Sequence, residues 1–306
     1  MVREVTHEGD RRHSNHGKYL EVLGELTFWT AYLTERTYQV VIAFPAPNAR
    51  KPRRGTRLGT LTRHLERSAR AHRGRTVLSD LLRRIESVAD ARNDVFHAIA
   101  LTGGAFRFAE PGQISRTYFA IAELETVRDD LRVAGELADD ILGRARLPLP
   151  PYSAEQREYY RAIGRVIYEY HWLFTCLVDV LRNLGDHHER DLRLREMQYL
   201  LNHLEEVIEQ RSGDKSEELL RELSRRTRTA NSQRNRVVHA VPDDGNPFKL
   251  AATTPQQSFD VGNQQALDQL GTELLKLWHL ADRIVKAQES PLPSYMQGIP
   301  LRRIDL

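Results

Sequence analysis

The chain has 306 residues, enough for one large domain or two ordinary ones, and its 40% apolar and 28% charged content excludes wholesale disorder and fibrous repeats. The net charge of +3 hides a bias, because only six of the 45 basic residues are lysines, while a single cysteine, Cys176, excludes an internal disulfide. Charges interrupt every stretch approaching the roughly eighteen apolar residues of a membrane span, and residues 1–17 lack the apolar core of a secretory signal, so a cytoplasmic protein without membrane contact is expected.

In chain order, residues 18–43 predict a long, mostly apolar helix ended by Pro45 and Pro47. A basic helix follows over 57–72, stopped by Gly74. Around it, residues 50–75 carry ten basic side chains (Arg50, Lys51, Arg53, Arg54, Arg57, Arg63, Arg67, Arg70, Arg73 and Arg75) against one acid, Glu66. Such an arginine excess suits phosphate oxygens and reads either as a nucleic-acid footprint or as a solvated face. A third helix runs from Thr76 to about residue 98 on a stripe of Leu78, Leu81, Leu82, Ile85, Val88, Ala89 and Phe96. Gly103 and Gly104 end it, residues 105–108 predict a short strand, and 115–142 a fourth helix. After a proline-rich linker over 146–155 the order repeats: helices over 154–184, 188–211 and 215–240, an extended piece near 248–251, and a helix over 264–287. Residues 1–17 and the tail from Ser290 look peripheral. The fold class expected is all-α, with four-helix packing in each of two modules, 18–145 and 154–287, and a short extended segment after each third helix.

Residues 91–98, ARNDVFHA, match 233–240, QRNRVVHA, at an offset of 142, and LADDIL at 137–142 matches LADRIV at 280–285. This predicts an internal duplication. Extending the apolar stripe of each third helix brings Arg92 and Arg234 to positions where the pattern calls for an apolar residue, and a cation there is costly unless something pairs with it. Asn93 and His97 lie four residues apart, as do Asn235 and His239, so each amide shares a face with a histidine and can orient its ring. The helix C-terminus favours the protonated form of both rings. A duplicated structural cap would produce the same pattern.

An R-N-x-x-x-H motif on the third helix of a four-helix module resembles the HEPN superfamily, and Arg92-Asn93-Asp94-Val95-Phe96-His97 and Arg234-Asn235-Arg236-Val237-Val238-His239 both fit its pattern. The resemblance covers most of residues 18–287. It implies a metal-independent endoribonuclease of the kind found in toxin and antiphage systems, with two modules bringing both motifs into one cleft and no cofactor. Arg92, Asn93, His97, Arg234, Asn235 and His239 would form the catalytic site, and Arg50, Lys51, Arg53, Arg54, Arg57, Arg63 and Arg67 would guide RNA. The partners it implies are RNA and an antitoxin or regulatory protein, with a homodimer also open. Other HEPN proteins are catalytically silent, so a helical adaptor binding a protein or nucleotide is the alternative.

The residue types suit the chemistry. Histidine, with an unperturbed pKa of about 6.5, can act as acid or base near neutrality, whereas arginine holds its proton and serves as a phosphate clamp. His187-His188-Glu189 and the scattered His7, His13 and His16 lack zinc-site spacing, and no metal is expected. Cys176, Trp29, Trp172 and Trp278 read as packing residues.

Overall fold

The computed structural model describes residues 6–97, 99–100, 106–107, 121–147, 152–184, 196–210, 217–243, 246, 248–252 and 259–289. The fold is all-α. Its first half comprises α1 (Thr6–Ala43), α2 (Leu58–Ala71), α3 (Thr76–His97) and α4 (Ile121–Leu142), with strands β1 (Ile99–Ala100) and β2 (Phe106–Arg107) between α3 and α4. The second half comprises α5 (Ala154–Leu184), α6 (Met197–Gln210), α7 (Glu217–Val238) and α8 (Gln264–Glu289), with β3 (Val241–Pro242) and β4 (Leu250–Ala251) between α7 and α8. The strand pairs are two-residue antiparallel ladders, Ile99 opposite Arg107 and Val241 opposite Ala251.

Local chemistry explains the boundaries. The α5 start is a capping box: the Ser153 backbone N–H donates to Gln156 Oε1 at 2.7 Å, and the Gln156 N–H donates to Ser153 Oγ at 3.1 Å. Asn263 Oδ1 caps α8 by accepting from the N–H groups of Gln265 and Ala266. Two expectations are corrected. Helix α1 begins at Thr6 rather than near residue 18, and the His16 ring packs edge-on against Tyr168 of α5 at 5.0 Å, while residues 1–5 lie outside those described. Helix α6 begins at Met197, after the non-helical Glu196, rather than at 188. Residues 185–195, including His187, His188 and Glu189, lie outside those described, as do 290–306.

Within each half the first helix packs most extensively on the fourth, α1 on α4 and α5 on α8. The halves meet where α1 crosses α5, and glycine allows that approach: a Cβ on Gly24 would sit 1.8 Å from the Tyr160 carbonyl oxygen, and one on Gly164 would sit 1.8 Å from the Leu20 carbonyl oxygen. The contacts are reciprocal, each glycine facing the residue four positions before its counterpart. One continuous buried cluster therefore runs through both halves, from Val22 and Phe28 on α1 through Ile163 and Ile167 on α5 to Leu274 and Leu277 on α8. Each ladder also crosses over: β1 packs on α5, and β3 packs on α1. The C-terminal ends of α3 and α7 are thereby carried toward the opposite half.

Two buried carboxyls in the first half are paired with arginines. Asp139, fully buried on α4, accepts from the Tyr32 hydroxyl at 2.6 Å and lies 2.7 Å from Arg36 Nε. Glu25 takes Arg128 at 2.8 Å. Both carboxyls are held above their usual range, chiefly by burial, with the arginines acting in the opposite sense.

Candidate active site

The two motifs converge on one region from opposite halves of the chain. Arg234, on α7, is 8% exposed, its guanidinium carbon stands 4.2 Å above the Tyr170 ring, and Nη1 donates to Asn235 Oδ1 at 3.2 Å. Tyr170, on α5, is fixed in turn by donating its hydroxyl to Asn231 Oδ1 at 2.9 Å. Arg92, on α3, is half-buried and donates from Nη1 to Asn93 Oδ1 at 2.7 Å. Its pKa is pushed down to about 10, first by burial and then by the charge of Arg234. Burial also lowers the pKa of Arg234, with Tyr170 acting against the shift. The arginine of the first motif thus lies within electrostatic reach of the arginine of the second, inside a single chain.

His239 follows the last residue of α7, and its backbone N–H still donates to the Asn235 carbonyl at 3.0 Å. Its pKa is pushed down to about 4 by burial and then by the charges of Arg57, Arg234 and Arg92, in that order. The residue nevertheless exposes much of its surface, so water screens part of the burial effect, and the three guanidiniums set the direction. This reverses the expectation that the helix dipole favours the imidazolium, because full positive charges nearby outweigh the partial charge of a helix terminus. The ring is neutral near pH 7. A second expectation shifts as well: in both motifs the asparagine oxygen accepts from the preceding arginine, so the amide serves the guanidinium. His97 closes α3, and its side chain lies outside those described, as do those of Asp94 and Phe96.

Of the seven residues expected to guide RNA, Arg57 is brought within electrostatic reach of His239. It is the N-cap residue of α2 and is felt at His239. Arg54 turns its Nε toward the buried carboxylate of Glu35 on α1, at 3.2 Å. Arg50, Lys51, Arg53, Arg63 and Arg67 are exposed, Arg63 with Nη2 donating to Thr60 Oγ1 at 3.3 Å. Sequence reasoning missed Tyr170 as the seat of Arg234 and Glu35 as the holder of Arg54. An acid and a tyrosine inside apolar helices carry no local mark of either role.

Among the described residues, no group of three or more His, Cys, Asp or Glu side chains is placed to hold a metal ion, and no helix is long and apolar enough to cross a membrane. Cys176 is half-buried, its thiol pushed up to about 12 by burial and by Asp179 and Asp282. Trp29 is a core residue, whereas Trp172 and Trp278 are half-buried and pack against one another with ring centroids 6.0 Å apart. No family model, no curated protein and no solved structure matches the chain.

Proposed function

We propose that this chain is a metal-independent endoribonuclease of HEPN type, cytoplasmic and toxin-like or antiphage in role, whose two R-N-x-x-x-H motifs serve one composite site. The observation that carries this reading is the convergence of Arg92, Arg234, His239 and Arg57, drawn from both halves, into one concentration of positive charge. Burial and mutual repulsion disfavour these cations, and a phosphodiester bound among them would relieve both. The matching element order, the reciprocal glycines and the paired short ladders support descent of the halves from one duplicated module.

In this mechanism His239, neutral near pH 7, takes the proton of the 2′-hydroxyl. The 2′-oxygen attacks phosphorus, the bond from phosphorus to the 5′-oxygen breaks, and His97 supplies the proton to that leaving oxygen. Arg92 and Arg234 hold the phosphoryl oxygens, which carry more charge in the transition state than in the substrate. Asn93 and Asn235 orient those guanidiniums, and the exposed arginines over 50–67 draw in the polyanion. The products are a 2′,3′-cyclic phosphate and a 5′-hydroxyl end. Incubation with single-stranded RNA in EDTA tests the reading: cleavage should persist and disappear in the His97→Ala/His239→Ala double variant. Loss of cleavage with chelator and its return with magnesium would sink the acid–base mechanism. RNA or nucleotide binding without cleavage would favour the silent adaptor, a role that the burial of Arg234 also suits.

A further inference from the structure

Arg54 and Arg57 are three residues apart in the basic segment, yet they face different things. The backbone turns sharply between them: the Thr56 N–H donates to the Arg53 carbonyl at 3.1 Å, Thr56 Oγ1 donates to the same oxygen at 2.6 Å, and Gly55 has a φ of 82°, which glycine adopts without strain. Within the turn, Arg54 is directed at Glu35. Immediately after it, Arg57 opens α2, its carbonyl accepting from the N–H groups of Thr60 and Leu61.

Glu35 is 4% exposed and does not stand alone. Its Oε1 also accepts from Gln39 Nε2 at 2.9 Å, Gln39 Oε1 accepts from Arg36 Nη1 at 3.0 Å, and Arg36 is bound to Asp139 and Tyr32. The basic segment is thus hooked into a polar chain that runs along α1 and reaches α4. Its other flank is fastened separately, with His72 Nε2 at 3.2 Å from the Pro45 carbonyl oxygen and Arg75 over the Phe44 ring at 4.6 Å. Helix α1 also supports β3, which begins two residues after His239. Arg57 and His239 are therefore both registered against the same helix.

We propose that Arg57 is a third phosphate-contacting guanidinium of the composite site and that Glu35, acting through Arg54, is its positioning residue. The basic segment then has three roles within it. Arg54 is an internal anchor, Arg57 acts at the reacting phosphate, and exposed side chains such as Arg63 and Arg67 attract RNA at longer range. The contact made by Arg57 rests on the ribonuclease reading; the positioning by Glu35 does not.

The test for positioning is the titration of His239, followed by NMR of ring-labelled histidine, since it can be read whether or not the protein cleaves RNA. Arg57→Gln should raise the His239 pKa by about one unit, because a nearby positive charge is removed. Glu35→Gln is the discriminating variant. Loss of a carboxylate would by direct electrostatics lower a histidine pKa, so a rise reports a cation moving away, Arg57 or the released Arg54; a rise of about half a unit is expected, and the Arg57→Gln background assigns it. In the Arg57→Gln background, Glu35→Gln should produce no further rise. If Glu35→Gln does not fold, Arg54→Met serves in its place: its effect on His239 should largely vanish in the Arg57→Gln background, whereas a direct charge effect would persist. Arg83→Gln, which alters an exposed ion pair on α3, controls for net charge. A lowered or unchanged pKa in folded Glu35→Gln, or an undiminished Arg54→Met effect without Arg57, would overturn the positioning. For the contact, Arg57→Gln should lower kcat on single-stranded RNA on the order of a hundredfold. A change in KM with kcat intact would return Arg57 to the RNA-guiding group.

Discussion

The arginine of the second motif is stacked on an aromatic ring and buried, whereas that of the first is more exposed. Arg234 lies on the face of Tyr170, six residues beyond the crossing glycine Gly164, whereas six residues beyond Gly24 on α1 stands Thr30. An aromatic face gives a buried guanidinium an electrostatic partner without adding a charge, while a threonine side chain offers neither the area nor the quadrupole. Arg234 is accordingly 8% exposed, and Arg92 remains half-buried. The second helices differ in the same sense. Exposed Arg63, Arg67 and Arg70 mark α2, whereas α6 carries Glu205, Glu206 and Glu209, with Glu205 tied to Arg228 at 2.7 Å. One motif pattern sits in two electrostatic surroundings, a buried arginine in the second half and a more accessible one, in the half that carries the arginine-rich face of α2, in the first.

The largest effect is expected from the histidines, where the halves should not differ. His97→Ala and His239→Ala should each lower RNA cleavage on the order of 10²–10⁴-fold, and mixing the two variants should restore nothing, since both motifs belong to one chain. Recovery on mixing would show that sites form between chains. The helix crossing comes next. Gly24→Ala and Gly164→Ala both drive a methyl group into a backbone oxygen, so each should lower unfolding stability in urea by about 3 kcal/mol, while Gly59→Ala, with open space around it, should be neutral or stabilising. Unequal costs at the two crossing glycines would break their reciprocity.

The arginines sharpen the contrast. Both Arg92→Met and Arg234→Met should abolish cleavage, but thermal unfolding should separate them. Arg92→Met removes a disfavoured cation and should stabilise the fold by about 1 kcal/mol, while Arg234→Met forfeits the contact with Tyr170 and should destabilise it by a similar amount. A shift of the same sign in both would mean that the two seats are energetically alike. The smallest effect concerns pH. Because the folded pKa of His239 lies below its unfolded value, the unfolded chain binds more protons between about pH 4 and pH 6.5, and this contribution to stability is complete above that window and lost as pH falls through it. The acidic limb of kcat/KM should therefore lie well below pH 6, moving upward in Arg57→Gln.

What could be read from the sequence was local. The span 154–184 of α5 is marked by Ser153 and Gln156 at capping-box spacing and by a continuous apolar face, and the α3 stripe holds in the buried Leu78, Leu81, Ile85 and Val88. The early start of α1 was hidden because its first turns are polar and gain a packing partner, Tyr168, only from the other half. The lowered pKa of His239 was hidden for a related reason: it follows from burial in the folded chain and from charges that include Arg57 and Arg92, 182 and 147 positions away in sequence. Spacing within one helix identifies which residues share a face, but it carries no information about which foreign charges that face will meet.

The crossover of the short ladders has a consequence for the covalent chain. Each half lays the segment that follows its motif across the first helix of the other, so the halves grip each other by exchange as well as by apposition. A protease cut between Leu142 and Ala154 would sever the polypeptide without releasing either piece, because separation would uncover the apolar seam along which α1 and α5 pack. The nicked molecule would persist as a tight heterodimer, and two separately expressed halves, neither able to cover its own long helix, would be drawn to fold upon one another.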